Sequence, residues 1–509
     1  MILIINLGLK SIRSIIFDQS GKVLAKSSLP INTFLSEDTV EQDPKEWRKK
    51  LNQVLKNSIS KLSATHKINY LSVTCSASCL IAVDKNNEPT RKVIMVSDKR
   101  SIDEANFIKS LDEYKEIKKN KKFSISEYSQ LSRILWIKNN EPEVFNKTYK
   151  FLSPNDYIIS LINDNYSTDN LNAEKFFYDS NLNKYPEKLL KKIGITSSQL
   201  PTVEEIGSKL NEINRKVCNS TGLPSKTKIV LSTYDAVCSI FGSGLKNSGE
   251  VCDVSGTVTS VRMICSKPVN NLNNRIVNQF FKPSNTFIVG GSNNLGGGII
   301  EWLKQSFYNE IKNPYKLIEK DYLKSDAIGS NMIFLPYLLG SRSPTWDSNA
   351  RGVFFGIERF HTRKDFIRSV FESIGFSILD FIKIFKESNL STDFVVASGG
   401  LAQIDSINQL KSDICKVPYR TLLNFESTSL GALFIVLKFS GYYNEISEAS
   451  KDIIKFDKFY EPDLEYSNYY DDLYNLSNEI SLALKESFEM RIKNIKKKQT
   501  KIENHIENL

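Results

Sequence analysis

Short apolar runs at 2–5 and 12–17 flank the turn-forming stretch Asn6-Leu7-Gly8-Leu9-Lys10-Ser11, and Asp18-Gln19-Ser20-Gly21 then leads into 22–27. Turn chemistry and β-branched content predict a three-stranded meander there. The pattern returns at 250–264, where Glu250-Val251-Cys252-Asp253-Val254-Ser255-Gly256-Thr257 runs on to Ile264. Gly8 and Gly256 stand 248 positions apart in a chain of 509. One such hairpin is common; two at half-chain spacing suggest a duplicated α/β domain. Between and after them the period changes. Trp47, Leu51, Val54, Leu55 and Ile59 recur at helical steps across 44–62, behind Asp43 as a cap and Pro44 at the first position. A second helix is predicted over 362–387, capped by Thr362 and striped by Ile367, Val370, Phe371, Ile374, Ile378, Phe381 and Phe385. Residues 394–397 read as a buried strand that ends in Ser398-Gly399-Gly400, before a helix from about Ser406, a place where backbone can approach a ligand closely. The Lys- and Asn-rich stretch 105–126 reads as an insertion or mobile lid.

Composition narrows the class. Single cores stop growing at roughly 250–300 residues, so 509 residues imply at least two domains. A hydrophobic fraction of 40% with 25% charged residues is ordinary for a folded chain. The formal charge of +10 raises the question of nucleic acid, but Arg491, Lys493, Lys496, Lys497, Lys498 and Lys501 cluster in 491–502 with no acid among them. The excess is therefore largely a solvated tail, and no nucleic-acid partner is expected. No apolar run approaches the roughly 18 residues of a membrane span, and the N-terminus lacks signal-peptide features, so a cytoplasmic protein without membrane contact is expected. Seven scattered cysteines suit a reducing compartment, and three histidines are too few for a histidine-rich metal site. There is no G-x-S-x-G elbow and no G-x-x-x-x-G-K-[ST] loop, so a nucleotide would need another architecture.

Several motifs supply one. Gly352-Val353-Phe354-Phe355-Gly356-Ile357, a gap of seven, and Asp365-Phe366-Ile367-Arg368-Ser369-Val370-Phe371-Glu372 follow each other, preceded by Leu335-Pro336-Tyr337-Leu338-Leu339-Gly340-Ser341-Arg342-Ser343-Pro344. Upstream stand Arg133-Ile134-Leu135-Trp136-Ile137-Lys138-Asn139-Asn140, Val40-Glu41-Gln42-Asp43-Pro44, Thr168-Asp169 with Ala173, and Thr221-Gly222-Leu223-Pro224; downstream, Glu426 precedes 427–432. In this order the set resembles the FGGY carbohydrate kinases of the actin-like, Hsp70-like ATPase superfamily, to about residue 485. The resemblance implies an α/β fold of two tandem RNase H-like domains with a cleft between them: 1–244 on the sugar side, 245–485 on the nucleotide side, and 486–509 as a basic tail.

The resemblance also implies ATP as phosphate donor, Mg²⁺ as cofactor and a small sugar as acceptor, and it leaves a homodimer open. Asp235, in Ser232-Thr233-Tyr234-Asp235-Ala236, matches the family's catalytic aspartate and would deprotonate the acceptor hydroxyl while serving the metal. Gly256-Thr257 matches the phosphate-binding G-T, Gly297 the glycine-rich segment before Trp302, and Gly399-Gly400 with Asn408 the adenosine side. Two stretches depart from the pattern. The first phosphate loop, D-x-G-T in the family, reads Asn6-Leu7-Gly8-Leu9-Lys10-Ser11, so a neutral amide stands at the metal aspartate and Lys10 adds a positive charge. On the sugar side G-Q-x-H-G is replaced by Cys75-Ser76-Ala77-Ser78-Cys79, leaving Ser76, Ser78, Asp98 and Arg100 as candidate contacts. A xylulokinase-like ketopentose, or a related polyol or sugar acid, is the expected acceptor. A catalytically degenerate relative that binds nucleotide or sugar in a regulatory role is the alternative that Asn6 keeps open.

Overall fold

The computed structural model describes residues 1–36, 39–63, 67–119, 124–256, 258–269, 275–293, 296–326, 330–424 and 426–495. Two mixed sheets organise them. The first has the strand order Lys209–Leu210, Lys228–Val230, Tyr70–Cys75, Ile2–Leu7, Ser11–Phe17, Val23–Pro30. Its centre, Ile2–Leu7, is buried along its whole length, because it runs parallel to Tyr70–Cys75, antiparallel to Ser11–Phe17, and is covered on both faces. The second sheet has the order Val277–Phe281, Thr286–Asn293, Thr259–Cys265, Glu250–Ser255, Phe394–Ser398, Tyr419–Leu422, Phe456–Tyr460. Glu250–Ser255 repeats the central arrangement, antiparallel to Thr259–Cys265 and parallel to Phe394–Ser398. The strand-glycine-strand hairpin expected to recur from the glycine spacing does so at the centre of each sheet, but the third strand differs: Thr259–Cys265 pairs with Thr286–Asn293, and Val277–Phe281, which precedes Thr286–Asn293 in the chain, lies outside it.

Helices form where the periodicity placed them. Pro44–Ile59 starts behind Asp43, whose carboxylate accepts from the Lys45 amide, and buries Trp47, Leu51, Val54 and Leu55. Arg363–Glu387 opens with a capping box between Thr362 and Asp365. In the stretch expected as an insertion or mobile lid, Ile102–Ser110 and Asp112–Lys118 are helices that bury Ile108 and Tyr114 in a core with Leu131, Ile134 and Phe177, which anchors them to the body. Residues 120–123 of that stretch, and the tail from 496 on, lie outside the described residues. No helix among the described residues is long and apolar enough to cross a membrane.

The two sheets are joined by a shared core. Ile2, Ile4 and Phe17 of one sheet, Cys252, Ile288 and Val396 of the other, and the helices Asp235–Gly242 and Ser427–Phe439 all contribute to it. Those helices cross backbone to backbone at two glycines. A Cβ on Gly242 would lie 1.7 Å from the Ser427 carbonyl oxygen, and one on Gly431 1.7 Å from that of Cys238. No side chain fits, so the crossing distance is fixed by the absence of one. Replacing Gly431 with Ala is expected to force the helices apart and cost about 1–3 kcal/mol or more, read as a lower urea midpoint; an unchanged midpoint would show that the crossing yields freely.

Candidate active site

Between the sheets lies a cleft of about 530 Å³, within the usual range for a small-molecule site. Asp235 is set into it by two constraints. It is the first residue of the Asp235–Gly242 helix, where its Oδ1 accepts from the Ala236 amide at 2.7 Å. The strand end before it is tied down by Asp169, which accepts from Thr233 Oγ1 at 2.8 Å and from the amides of Leu171 and Asn172. Asp235 is half-buried and no cation pairs with it among the described residues. Burial therefore raises its carboxyl to about 7, against the smaller opposing pull of the Ala236 and Ala77 backbone. A carboxylate poised near neutrality is suited to take and release a proton.

Facing it are the turns of both hairpins. Gly8, Lys10 and Ser11 line the cleft from the first, Gly256 from the second; Thr257 lies outside the described residues. Gly297 also lines the cleft, but its amide donates to the Gly256 carbonyl at 2.5 Å, so it braces the turn. A Cβ at Gly297 would sit 2.8 Å from that carbonyl. Gly399 takes φ +85° and packs against the Ser255 carbonyl, while Gly400 has open space around it. The nucleotide-side glycines thus form one wall. Asn408 does not belong to it: the side chain is fully buried and donates to the Ala402 carbonyl at 2.9 Å, holding the turn Leu401–Gln403 from behind.

Ser76 and Ser78 line the opposite wall. Ser78 has φ +60°, uncommon for a residue with a Cβ. Its carbonyl accepts from Arg133, a fully buried guanidinium that also reaches the Val96 carbonyl at 3.1 Å and so pins the turn. Asp98 and Arg100 are corrected as substrate contacts. Asp98 is 1% exposed, accepts from the Val40 amide and from the Arg100 guanidinium, and neither residue lines the cleft. They lock the Val40–Gln42 strand to the body instead, with Glu41 also bound to Arg100.

Asn6 is nearly buried, and its Nδ2 donates to Ser429 Oγ of the facing helix at 3.2 Å. No group of three His, Cys, Asp or Glu that could hold a metal occurs among the described residues. A magnesium ion carried by a triphosphate, however, needs only one or two protein carboxylates beside phosphate and water oxygens. Asp235, free of any cation and open to the cleft, fits that role.

The chain's two halves match known domains. Residues 1–242 match the FGGY family of carbohydrate kinases, N-terminal domain, and residues 254–437 the C-terminal domain of the same family. The chain belongs to the FGGY carbohydrate kinases. As a member it is a phosphotransferase of sugars, on a two-domain fold of actin-like ATPase type. Among relatives, xylulose kinase of Bacillus subtilis is 26% identical over 495 residues, 95% of this chain and 97% of that protein. Gluconokinase of Bacillus licheniformis is 26% identical over 498 residues, 95% of this chain and 96% of that one. The crystal structure of gluconate kinase from Lactobacillus acidophilus superposes with a TM-score of 0.85 at 25% identity, covering 96% of this chain and 99% of that one.

Some features of this FGGY cleft were not expected from the sequence. Lys175, Arg262 and Arg342 line it, as do Glu301 and Glu426, the latter gripped by Arg13 at 3.0 Å and by Lys26. The one sequence signal is a charged residue amid the apolar Val261, Met263 and Ile264, as at Arg262. Beneath the second hairpin lies a buried ion pair: Lys411 Nζ donates to Asp253 Oδ2 at 2.7 Å and to Ser255 Oγ at 3.1 Å, and Ser255 Oγ donates to Asp253 Oδ1. Lys411→Met leaves Asp253 charged and unpaired, an expected loss of about 3–5 kcal/mol. The urea midpoint should fall accordingly, and the double variant D253N/K411M should recover part of it; a lone K411M as stable as the parent would contradict the pairing.

Proposed function

We propose that this kinase transfers the γ-phosphoryl group of ATP to a hydroxyl of a small open-chain sugar, a ketopentose or a related polyol or sugar acid, with Asp235 as general base. The observation that carries the reading is a half-buried carboxylate without a cationic partner, held at a helix start across a cleft from two glycine turns. Residues 1–244 form the sugar side and 245–485 the nucleotide side, with side chains of both lining the cleft between them. Relatives named xylulose kinase and gluconokinase support a ketose or sugar acid as acceptor.

In this reading Ser76 and Ser78 bind acceptor hydroxyls, and Asp235 takes the proton of the one that reacts. That oxygen bonds to the γ-phosphorus as the bond from phosphorus to the β–γ bridging oxygen breaks, and the electron pair leaves on ADP. The proton passes from Asp235 to solvent when product departs. Backbone amides around Gly8, Gly256 and Gly400, with Lys10 and Ser11, hold the phosphates; Gly297 and Gly399 shape the turns. Asp235, with the Asn6 amide nearby, would hold magnesium, which would supply neutralisation of the phosphate charge. Closure of the cleft keeps water from competing with the acceptor.

ADP release measured against ketoses, polyols and sugar acids tests this. Turnover with an acceptor is expected, and Asp235→Asn should lower it by about 10²- to 10⁴-fold. Because the base must be ionised and burial has raised its pKa to about 7, kcat/KM should climb as pH rises through 7 and level off above. The same shift makes the ionised Asp235 a burden on the fold above pH 7, so Asp235→Asn should unfold at an equal or higher temperature at pH 8. Full activity in Asp235→Asn removes the base assignment. Nucleotide binding without turnover across the whole panel makes the protein a binding relative.

The second test concerns Asn6. A hard cation prefers an anionic oxygen, so Asn6→Asp is expected to lower the magnesium concentration for half-maximal rate several-fold. An unchanged magnesium dependence places the metal away from residue 6.

A further inference from the structure

Three cations converge in the cleft without an ion-pair partner among the described residues. Lys175 comes from the turn Glu174–Phe176, Arg262 from the strand Thr259–Cys265, and Arg342 from the segment after Ile333–Leu335. All three are half-buried and line the same cavity as Asp235. Among the described residues none of them forms an ion pair. Arg262 donates only to the Val261 carbonyl at 3.1 Å and to Ser292 Oγ at 3.2 Å. The Nε of Arg342 is buried with no hydrogen-bond partner, and its guanidinium lies 5.4 Å from the centre of the Tyr128 ring. Lys175 Nζ stands 5.0 Å from the centre of the Tyr234 ring. The nearest acid in sequence, Glu174, is turned to Ser180 Oγ and Gln279 Nε2.

Like charges gathered out of water oppose one another. Burial brings Lys175 down to about 8, with Arg262 and Arg342 pushing the same way and Glu174 against them. Arg262 is lowered to about 10 by burial, with Arg342 adding to it. Glu174 and Asp169 act on Lys175, and Glu127 on Arg342, without pairing with them among the described residues, and a carboxylate is the ligand that supplies a direct counter-ion with bidentate geometry.

The position of the cluster separates it from the nucleotide phosphates. Val258, Ser260 and Arg262 alternate onto the cleft face of one strand. Arg262 is three residues beyond Thr259, so it stands roughly 10 Å along the strand from the phosphate-side turn. Lys175 covers the ring of the residue that precedes Asp235. The cluster therefore faces the acceptor's far end.

We infer that the acceptor is an anionic sugar, an aldonate, whose carboxylate is received by Lys175, Arg262 and Arg342 while a hydroxyl at its other end meets Asp235. This rests on the phosphotransfer reading for the fate of that hydroxyl and narrows its substrate class; the carboxylate subsite itself stands on binding alone. Neutral ketoses and polyols leave the three charges unanswered and are discriminated against.

Binding is tested by calorimetry on the full chain without ATP. Five- and six-carbon aldonates are compared with ketoses, alditols and sugar phosphates of equal length. The expected result is an aldonate bound about 100-fold more tightly than its alditol, with affinity falling as salt rises. Arg262→Met and Lys175→Met should each weaken it about 10-fold or more, and Arg262→Lys should restore part. A ketose, alditol or sugar phosphate that binds as well as every aldonate overturns the inference, as does aldonate binding indifferent to both variants. Should either variant misfold, the comparison within the unmodified chain decides alone. An aldonate bound in this way but never phosphorylated refutes the kinase reading and leaves the subsite standing. A ketose phosphorylated by a chain that binds no aldonate does the reverse.

Discussion

The contact on which the rest of the structure depends is the crossing of Asp235–Gly242 and Ser427–Phe439 at Gly242 and Gly431. One helix begins with the candidate base. The other begins beside Glu426, which Arg13 and Lys26 of the first sheet hold, and carries Ser429, which holds Asn6. Because the crossing admits no Cβ, it sets how far apart the two sheets stand and hence the width of the cleft. Everything that lines the cleft inherits its position from that distance. Side chains cannot interlock at this crossing, and the polar links to Glu426 and Asn6 lie at the cleft itself.

Most of the fold was legible in local pattern. The two strand-glycine-strand repeats mark the centres of the two sheets, and Asp43 and Thr362 start helices where a capping side chain ahead of an apolar stripe says they should. The packing of the segment around 105–126 was not legible, because its polar residues outnumber its apolar ones. Ile108, Tyr114 and Ile125 dock the segment, with Leu111 and Ile117 packed alongside, and the rest of that core comes from elsewhere in the chain. Asn408, Asp98 and Arg100 show the same limit in the site. Each stands in a motif near the cleft, and each turns inward to satisfy a buried carbonyl, amide or carboxylate.

Of the cationic cluster only the charge within a strand at Arg262 was legible. Lys175, Arg262 and Arg342 are 87 and 80 positions apart along the chain, and only the folded topology brings them into one cavity. The electrostatic plan of the cleft follows from that. The glycine turns and Lys10 line one part of the cleft, Lys175, Arg262 and Arg342 another, and Asp235 lines it too, with its proton affinity raised by burial. The neutral Asn6 fits this plan, since its amide is engaged in holding the two helix-bearing halves together.

Phosphorus NMR of the unmodified protein with ATP, magnesium and the acceptor panel tests the central claim most directly, because it distinguishes transfer to a sugar from transfer to water. The account predicts a sugar phosphomonoester resonance that grows in step with ADP, only when an acceptor is present. Inorganic phosphate growing in its place, or a triphosphate left intact with every acceptor, would contradict it.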